Sequence, residues 1–514
     1  MHGMISKALS LCVASVVLLN AAVSAPLHLE RVLRSIRAAD LRGDLSFLAS
    51  DALQGRYAPS PSLDVAAEFI ASQFRAAGLE PGGNQDYFQT ASMVDRRVPA
   101  ASAMSIEQGS RTWTVPREDV RVLEANYAAN IDRRPAIVFA ARDPDLLNGS
   151  ELTGKAVIVP VQPRGKISHD QMPAVYNKRR AFDKAVAISG AAVEILVGRE
   201  GAGQARPRLL SAEEAEEHRP PVVSVAGEEL QTWLEHPGSG VDSGTVSLKI
   251  PPPEDQRAVL KNVIGVLRGS DPKLKDTFVL LTAHYDHIGT SDTGSDLSTN
   301  RTQNPNDHIY NGANDDGSGT VSVIEIGRAL ARADLHPKRS IVFMTFFGEE
   351  RGDIGSEYYG AHPMFPIAKT VADVNLEQVG RTDSTIGRQL HNASLTGFDY
   401  SDVTKYFEAA GRETGVRVYM DKEASDAYFT RSDNAALAER GVPAHTLCVA
   451  YDYSDYHGLG DEWQKIDYDN MAQVDRTVAL GLWKIANSAI APKWNAQNPK
   501  TAPFREAQAH NSRQ

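Results

Sequence analysis

The sequence predicts an α/β fold: a three-layer sandwich with a mostly parallel central sheet, plus a β-rich inserted domain. Three observations carry this. From residue 258 onward, apolar strand-like runs alternate with helix-like stretches, the pattern of a parallel sheet covered by helices. Between about 100 and 250, short apolar runs alternate with turns instead, which reads as a separate β-rich module. The chain has 514 residues, 42% hydrophobic and 23% charged, enough for a large core and more than one domain.

The elements follow in order. Residues 1–25 read as an export signal: Lys7, then the apolar run "ALSLCVASVVLLNAAV", then the small-residue site Val23-Ser24-Ala25. The expected location is therefore secreted or periplasmic, with no membrane attachment after cleavage. Cys448 is then the one remaining cysteine, so no intrachain disulfide is expected, and its setting in "HTLCVAY" reads as a buried strand. Residues 26–99 form the N-terminal part of the main domain. There "SLDVAAEFIASQFRAAGLEPGG" carries apolar residues at helical spacing and stops at glycine and proline.

The insert is expected over 100–255, with "PAIVFAA", "GKAVIVPV", "AVEILVG" and "PPVVSVAG" as strands and one helix near "FDKAVAISGA". The core is expected over 256–492. Its strands are "KNVIGVLRG", "TFVLLTAHYDH", "RSIVFMTFF", "TVADVNLE" and "HTLCVAY", with helices over 318–332 and 470–490. Residues 493–514 are polar and aperiodic, so a disordered tail is expected. The net charge of −11 argues against nucleic acid as a partner.

In open α/β sheets, sites gather where strands end. Each apolar strand here delivers an ionisable group as it ends: His284 and Asp286, then Asp315 and Asp316 in "NGANDDGSG", then Glu349 and Glu350, then Glu377, then His457. Imidazole and carboxylate without thiolate suit zinc, with manganese or cobalt as alternatives. Two histidines and three carboxylates exceed one tetrahedral catalytic zinc. They suit two metals about 3.5–4 Å apart sharing a bridging carboxylate. Asp315 can bridge, which cancels its repulsion with Asp316, an orienting residue or helix cap. Asp286 can fix the tautomer of His284. His287 would point away as a bystander. Of Glu349 and Glu350, one can bind metal and the other can act as general base.

The ordered motifs "TAHYDHIG", "NGANDDGSG", "FFGEERGDIGS", "VNLEQVGR" and "DYHGLGDEWQKID" resemble the co-catalytic zinc peptidase family of bacterial leucyl aminopeptidases, glutamate carboxypeptidase and the transferrin receptor. The resemblance spans about 258–490, with "LASDALQGRY" onward similar to the family's N-terminal lead-in and "LTGKAVIV" similar to its protease-associated domain. It implies a zinc exopeptidase-like sandwich holding two zinc ions per chain and acting on peptide substrates. Asp315 would bridge, His284 and Glu377 would complete one site, and Glu350 and His457 the other. Glu349 would be the general base and Asp286 the partner of His284. Tyr456 matches a position that polarises the substrate carbonyl in some relatives. The peptide bond after the bridging aspartate would be cis.

The expected activity is that of an exported aminopeptidase. Glu377 stands where many such aminopeptidases have aspartate, and Asn434 in "RSDNAAL" replaces a usual histidine. A carboxypeptidase or dipeptidase, with Arg431 as a carboxylate partner, is the alternative, and a non-catalytic receptor-like protein is a further one.

Overall fold

The computed structural model describes residues 28–161, 172–198, 207–227, 241–293, 306–333, 336–419 and 422–513, with residues 230, 234 and 298 besides. The export signal lies outside the described residues. The chain forms two compact units, one from the residues up to Thr90 together with Leu260–Gln514, the other from Ala91–Val259. Among the described residues, no helix is long and apolar enough to cross a membrane.

In the first unit, helices α1 (Ala38–Leu48) and α2 (Pro61–Ala77) precede the sheet strands described next. Ser60 caps α2 by accepting the Leu63 N–H, and Pro61 opens it. Then follow β1 (Glu254–Leu267), of which the part from Leu260 belongs to this unit, β2 (Phe278–His284), α3 (Gly319–Arg332), β3 (Ser340–Phe346), α4 (Ile354–Ala361) and β4 (Thr370–Leu376). The rest comprises β5 (Asn392–Leu395), α5 (Val403–Thr414), β6 (Arg417–Tyr419), β7 (Ala444–Cys448) and α6 (Tyr468–Asn487).

Seven neighbouring strands of a ten-stranded sheet run β6-β5-β7-β4-β2-β3-β1. The central strands β7, β4, β2 and β3 are parallel; β1 joins β3, and β5 joins β7, antiparallel. Every residue of β2 and of β3 is buried, as expected for strands covered on both faces. Leu280, Val342 and Met344 pack with Tyr359 of α4 on one face, while Phe343 meets Gly327 of α3 on the other. The register aligns His284 with Phe346 and Leu376 with Leu447. The polar residues after these strands therefore emerge at one edge.

Beneath that edge, Asp373 of β4 is fully buried and accepts a hydrogen bond from the Thr282 hydroxyl at 3.0 Å. Burial pushes its pKa up to about 8, against about 3.9 in an unfolded chain. The folded state thus holds a proton that the unfolded state releases. The contribution of Asp373 to stability is fully present below about pH 4, declines as pH rises, and is lost above about 8. Asp373→Asn is expected to flatten this decline and to raise the urea midpoint at pH 8 relative to the parent chain, but not at pH 4.

The second unit contains an eight-stranded mixed sheet with the helix Met172–Ala187. Its core is aliphatic, with Ile106, Ile158, Ile195 and Val223 fully enclosed. The unit extends beyond the expected 100–255 at both ends.

The C-terminal stretch differs from the expected disordered tail. A 3-10 turn at Pro499–Thr501 leads into helix α7 (Ala502–Asn511). Phe504 stacks on Trp494 with ring centroids 5.0 Å apart and reaches Phe429 at 5.4 Å. Two aromatic anchors bury enough area to order a segment that is polar on average.

Candidate metal centre

The Asp315 turn is built by its neighbours. Gly312 enters it at φ 58°, and the Asp315–Asp316 peptide is cis. The Asp461 carboxylate accepts the backbone N–H of Asn314, at 3.0 Å, and of Asp315, at 3.1 Å. The Asn314 side-chain oxygen accepts the N–H groups of Gly380 and Arg381 at 2.9 and 2.8 Å. Asp316 accepts the N–H of Gly319, where α3 starts, and of Gln378, beside Glu377, at 3.0 and 3.1 Å. Asp316 is thus both an orienting residue and a partner of the first helical turn.

Arg56, from the N-terminal lead-in, fixes the same region. Its guanidinium is buried and donates to the carbonyls of Leu48, Tyr285, Asn311 and Gly312 at 2.6–2.9 Å. Burial lowers its pKa to about 10, opposed by Asp286, Asp461, Asp316 and Asp315. It therefore stays charged at neutral pH and offsets part of the surrounding negative charge. Arg56→Met would leave four buried carbonyls without donors. The expected cost is more than about 3 kcal/mol, read as a lower urea midpoint at unchanged m-value.

Around this frame the expected side chains converge. The two Asp315 carboxylate oxygens face different imidazoles: Oδ1 lies 3.4 Å from His284 Nε2, and Oδ2 lies 3.1 Å from His457 Nε2. Glu350 Oε2 lies 3.2 Å from His457 Nε2. His284, Asp315 and Glu377 present donor atoms within 4.8 Å of one another. Glu349 Oε2 stands 3.8 Å from His284 Nε2.

The Asp286 carboxylate is 3.6 Å from His284 Nδ1, which instead contacts the Asp286 backbone carbonyl at 3.2 Å. That carboxylate accepts the Glu349 N–H at 3.1 Å, so Asp286 orients both residues. Tyr456 stacks on His457 with centroids 4.0 Å apart. It also borders a cavity of about 160 Å³ with Glu377, Thr396, Tyr428, Arg431 and Tyr451.

The electrostatics separate the carboxylates. Burial, reinforced by Asp353, Glu377 and Glu350, raises Glu349 well above the usual range, against the pull of His284. Burial and the Asp315 charge bring Glu377 to about 7. Glu350 resists burial and falls to about 2, held by His457 and His287. His457 rises to about 11 despite burial, through Glu350 and Asp315.

The donor set fits a metal. His284 Nε2 and Glu350 Oε1 are buried and lack a hydrogen-bond partner among the described residues, as expected for atoms aimed at a cation.

One reading is corrected. His287 does not point away: its Nδ1 lies 2.7 Å from Glu350 Oε1, and it groups with Asp315 and Glu350. Strand alternation assigned it to the opposite side, but β2 ends at His284, and its N–H bonds the Arg56 carbonyl in a turn. Sequence reading also missed Arg56, Asn314 and Asp461. The "DE" in "GLGDEW" was the only visible trace of the last.

Comparison with known proteins agrees with this architecture. Residues 262–481 match the model described as Peptidase family M28. A "Probable zinc metalloprotease" of Pyrenophora teres f. teres is 26% identical over 253 residues, covering 45% of this chain and 50% of the relative. "Aminopeptidase YwaD" of Bacillus subtilis is 24% identical over 239 residues, 45% of this chain and 46% of that protein. The matches thus span about half the length of these relatives. The solved aminopeptidase from Aneurinibacillus sp. strain AM-1 superposes with a TM-score of 0.56 at 18% identity, covering 91% of this chain and 97% of that one, and so shares the fold. The segment 262–481, which matches Peptidase family M28, carries the site side chains that the sequence singles out.

Proposed function

We propose that this chain is an exported dinuclear zinc aminopeptidase that hydrolyses the N-terminal peptide bond of peptides. The observation that carries the reading is Asp315, one carboxylate oxygen facing His284 and the other facing His457. In this reading, His284, Asp315 and Glu377 would hold one zinc, and Asp315, Glu350 and His457 the other. Zinc bound there supplies Lewis-acid polarisation of the scissile carbonyl and acidifies water.

The chain's residues do the rest. Glu349, its proton affinity raised by burial, takes the proton of the attacking water and passes it to the leaving amine. Asp286 holds the Glu349 backbone and the His284 ring in place. Tyr456, beside His457, donates toward the oxygen that develops charge. A carboxylate near the zinc positions receives the substrate ammonium group, in the cavity that Glu377 also lines. The export signal would route the chain out of the cytoplasm.

The test is metal analysis coupled to a substrate panel of amino-acid anilides, amino-blocked peptides and dipeptides. Two zinc ions per chain and cleavage of free-amino anilides, abolished by chelation and restored by zinc, are expected. Cleavage of amino-blocked peptides at their C-terminal bond would overturn the aminopeptidase reading. Arg431, stacked over Tyr428 at 4.6 Å on the cavity wall, is what favours that carboxypeptidase alternative.

A further inference from the structure

We infer that Arg431 binds the side-chain carboxylate of the substrate's first residue, which makes peptides that begin with glutamate or aspartate the preferred class. The inference rests on the aminopeptidase reading above and deepens it.

Three observations carry it. First, one cavity serves both the metal centre and Arg431. Glu377 and Tyr456 of the centre line it, and so do Arg431 and Tyr428. Its volume of about 160 Å³ is below the roughly 300–1,000 Å³ of a cavity for a whole small molecule, and suits one side chain. With the substrate ammonium group received in this cavity, the side chain on the same carbon is the part that fills the remainder.

Second, the hydroxyls of the wall are committed to the fold. Thr396 Oγ1 accepts the Thr446 N–H at 3.0 Å, and the Thr446 hydroxyl donates to Asn434 Oδ1 at 2.8 Å. Ser432 Oγ accepts from Asn375 Nδ2 at 2.7 Å. The Ser394 and Ser425 hydroxyls donate to the carbonyls of Cys448 and Leu395 at 3.4 Å. Asn434 itself is fully buried and donates to the Phe429 carbonyl at 2.8 Å, so the residue that replaces a usual histidine supports the wall and does not select the substrate.

Third, the Arg431 guanidinium is uncommitted. Among the described residues it has no carboxylate partner and no hydrogen bond, and it lies over the Tyr428 ring at 4.6 Å. Tyr428 in turn meets Tyr451, with centroids 5.1 Å apart at 49°. Stacking on a ring face steadies the planar fork and leaves its N–H donors available, the geometry that takes a carboxylate through two parallel bonds. Asp452, also on the wall, is engaged. Its carboxylate accepts the Thr385 hydroxyl, and its backbone carbonyl accepts the Thr385 N–H at 2.8 Å and the Ser384 hydroxyl at 3.1 Å. With Glu377 assigned to zinc, the charge left to meet a side chain is positive.

The test compares glutamyl and glutaminyl anilides, which share a shape, differ in charge and carry no C-terminal carboxylate. The zinc-loaded full chain is expected to show a kcat/KM at least about tenfold higher for the glutamyl anilide, carried by KM. The ratio should shrink in about 0.5 M salt. In Arg431→Gln it should fall to about one with zinc content unchanged. Arg431→Lys, which keeps the charge and loses the fork, should give an intermediate ratio. A ratio near one in the parent chain, or one unchanged in Arg431→Gln, overturns the inference, while cleavage of either anilide keeps the aminopeptidase reading. A lysyl anilide cleaved fastest would give the side chain to Asp452 and overturn it as well. Dipeptides cleaved as free acids and not as C-terminal amides would move the bound carboxylate to the other end of the substrate, which also overturns the side-chain assignment. A zinc-loaded chain that cleaves no anilide overturns both readings.

Discussion

Glu349→Gln is expected to lower turnover by about 10²–10⁴-fold while the chain keeps its full metal content. The side chain is isosteric, so the packing near His284 and the backbone bond to Asp286 survive. What disappears is the ability to accept a proton. Burial and the neighbouring carboxylates raise the proton affinity of Glu349, which suits a carboxylate that must hold the proton taken from water until the leaving amine receives it. Steady-state kinetics paired with elemental analysis separate the roles. Lost turnover with unchanged metal supports proton transfer, lost metal would make Glu349 a ligand, and full turnover would remove it from the chemistry.

Asp315→Asn is expected to have the wider effect. Each other ligand in the proposed arrangement serves one position, while Asp315 faces both imidazoles. An amide offers one neutral oxygen where the carboxylate offers two that share a negative charge. Affinity should fall by more than about 100-fold at both positions, beyond the 10–100-fold seen for supporting residues. Excess zinc should not restore activity. Glu377→Ala is the control: it should weaken one position and leave the other filled. Elemental analysis after gel filtration reads both outcomes, and an Asp315→Asn chain that retains two zinc ions would exclude a bridge.

Much of this site was legible because buried parallel strands announce themselves as continuous apolar runs, and each run ended on an ionisable residue. "TFVLLTAH" and "RSIVFMTF" needed no further context to be read as strands, and His284 and Glu350 followed from their ends, as Glu377 did from the end of "TVADVNL". His287 was misread because a period of two was carried past the last strand residue into a turn. Arg56 was illegible for a different reason. Its partners are backbone carbonyls, which every residue has, so no side-chain pattern points to them. The ordered tail was hidden by averaging: Trp494 and Phe504 outweigh the polar residues around them. Asp373 was unremarkable in "TVADVNLE", since burial beneath the strand ends, and not its neighbours in sequence, sets its proton affinity.

The bonds from Arg56 to Tyr285, Asn311 and Gly312 close separations of 229, 255 and 256 residues. Such contacts are slow to form, because their ordering entropy is lost before any of them is rewarded. During synthesis, the lead-in must therefore wait for the whole Ala91–Val259 unit and the first core strands to appear. The Asp315 turn likewise gains its clasp only once Asp461, 146 residues further along, has been made.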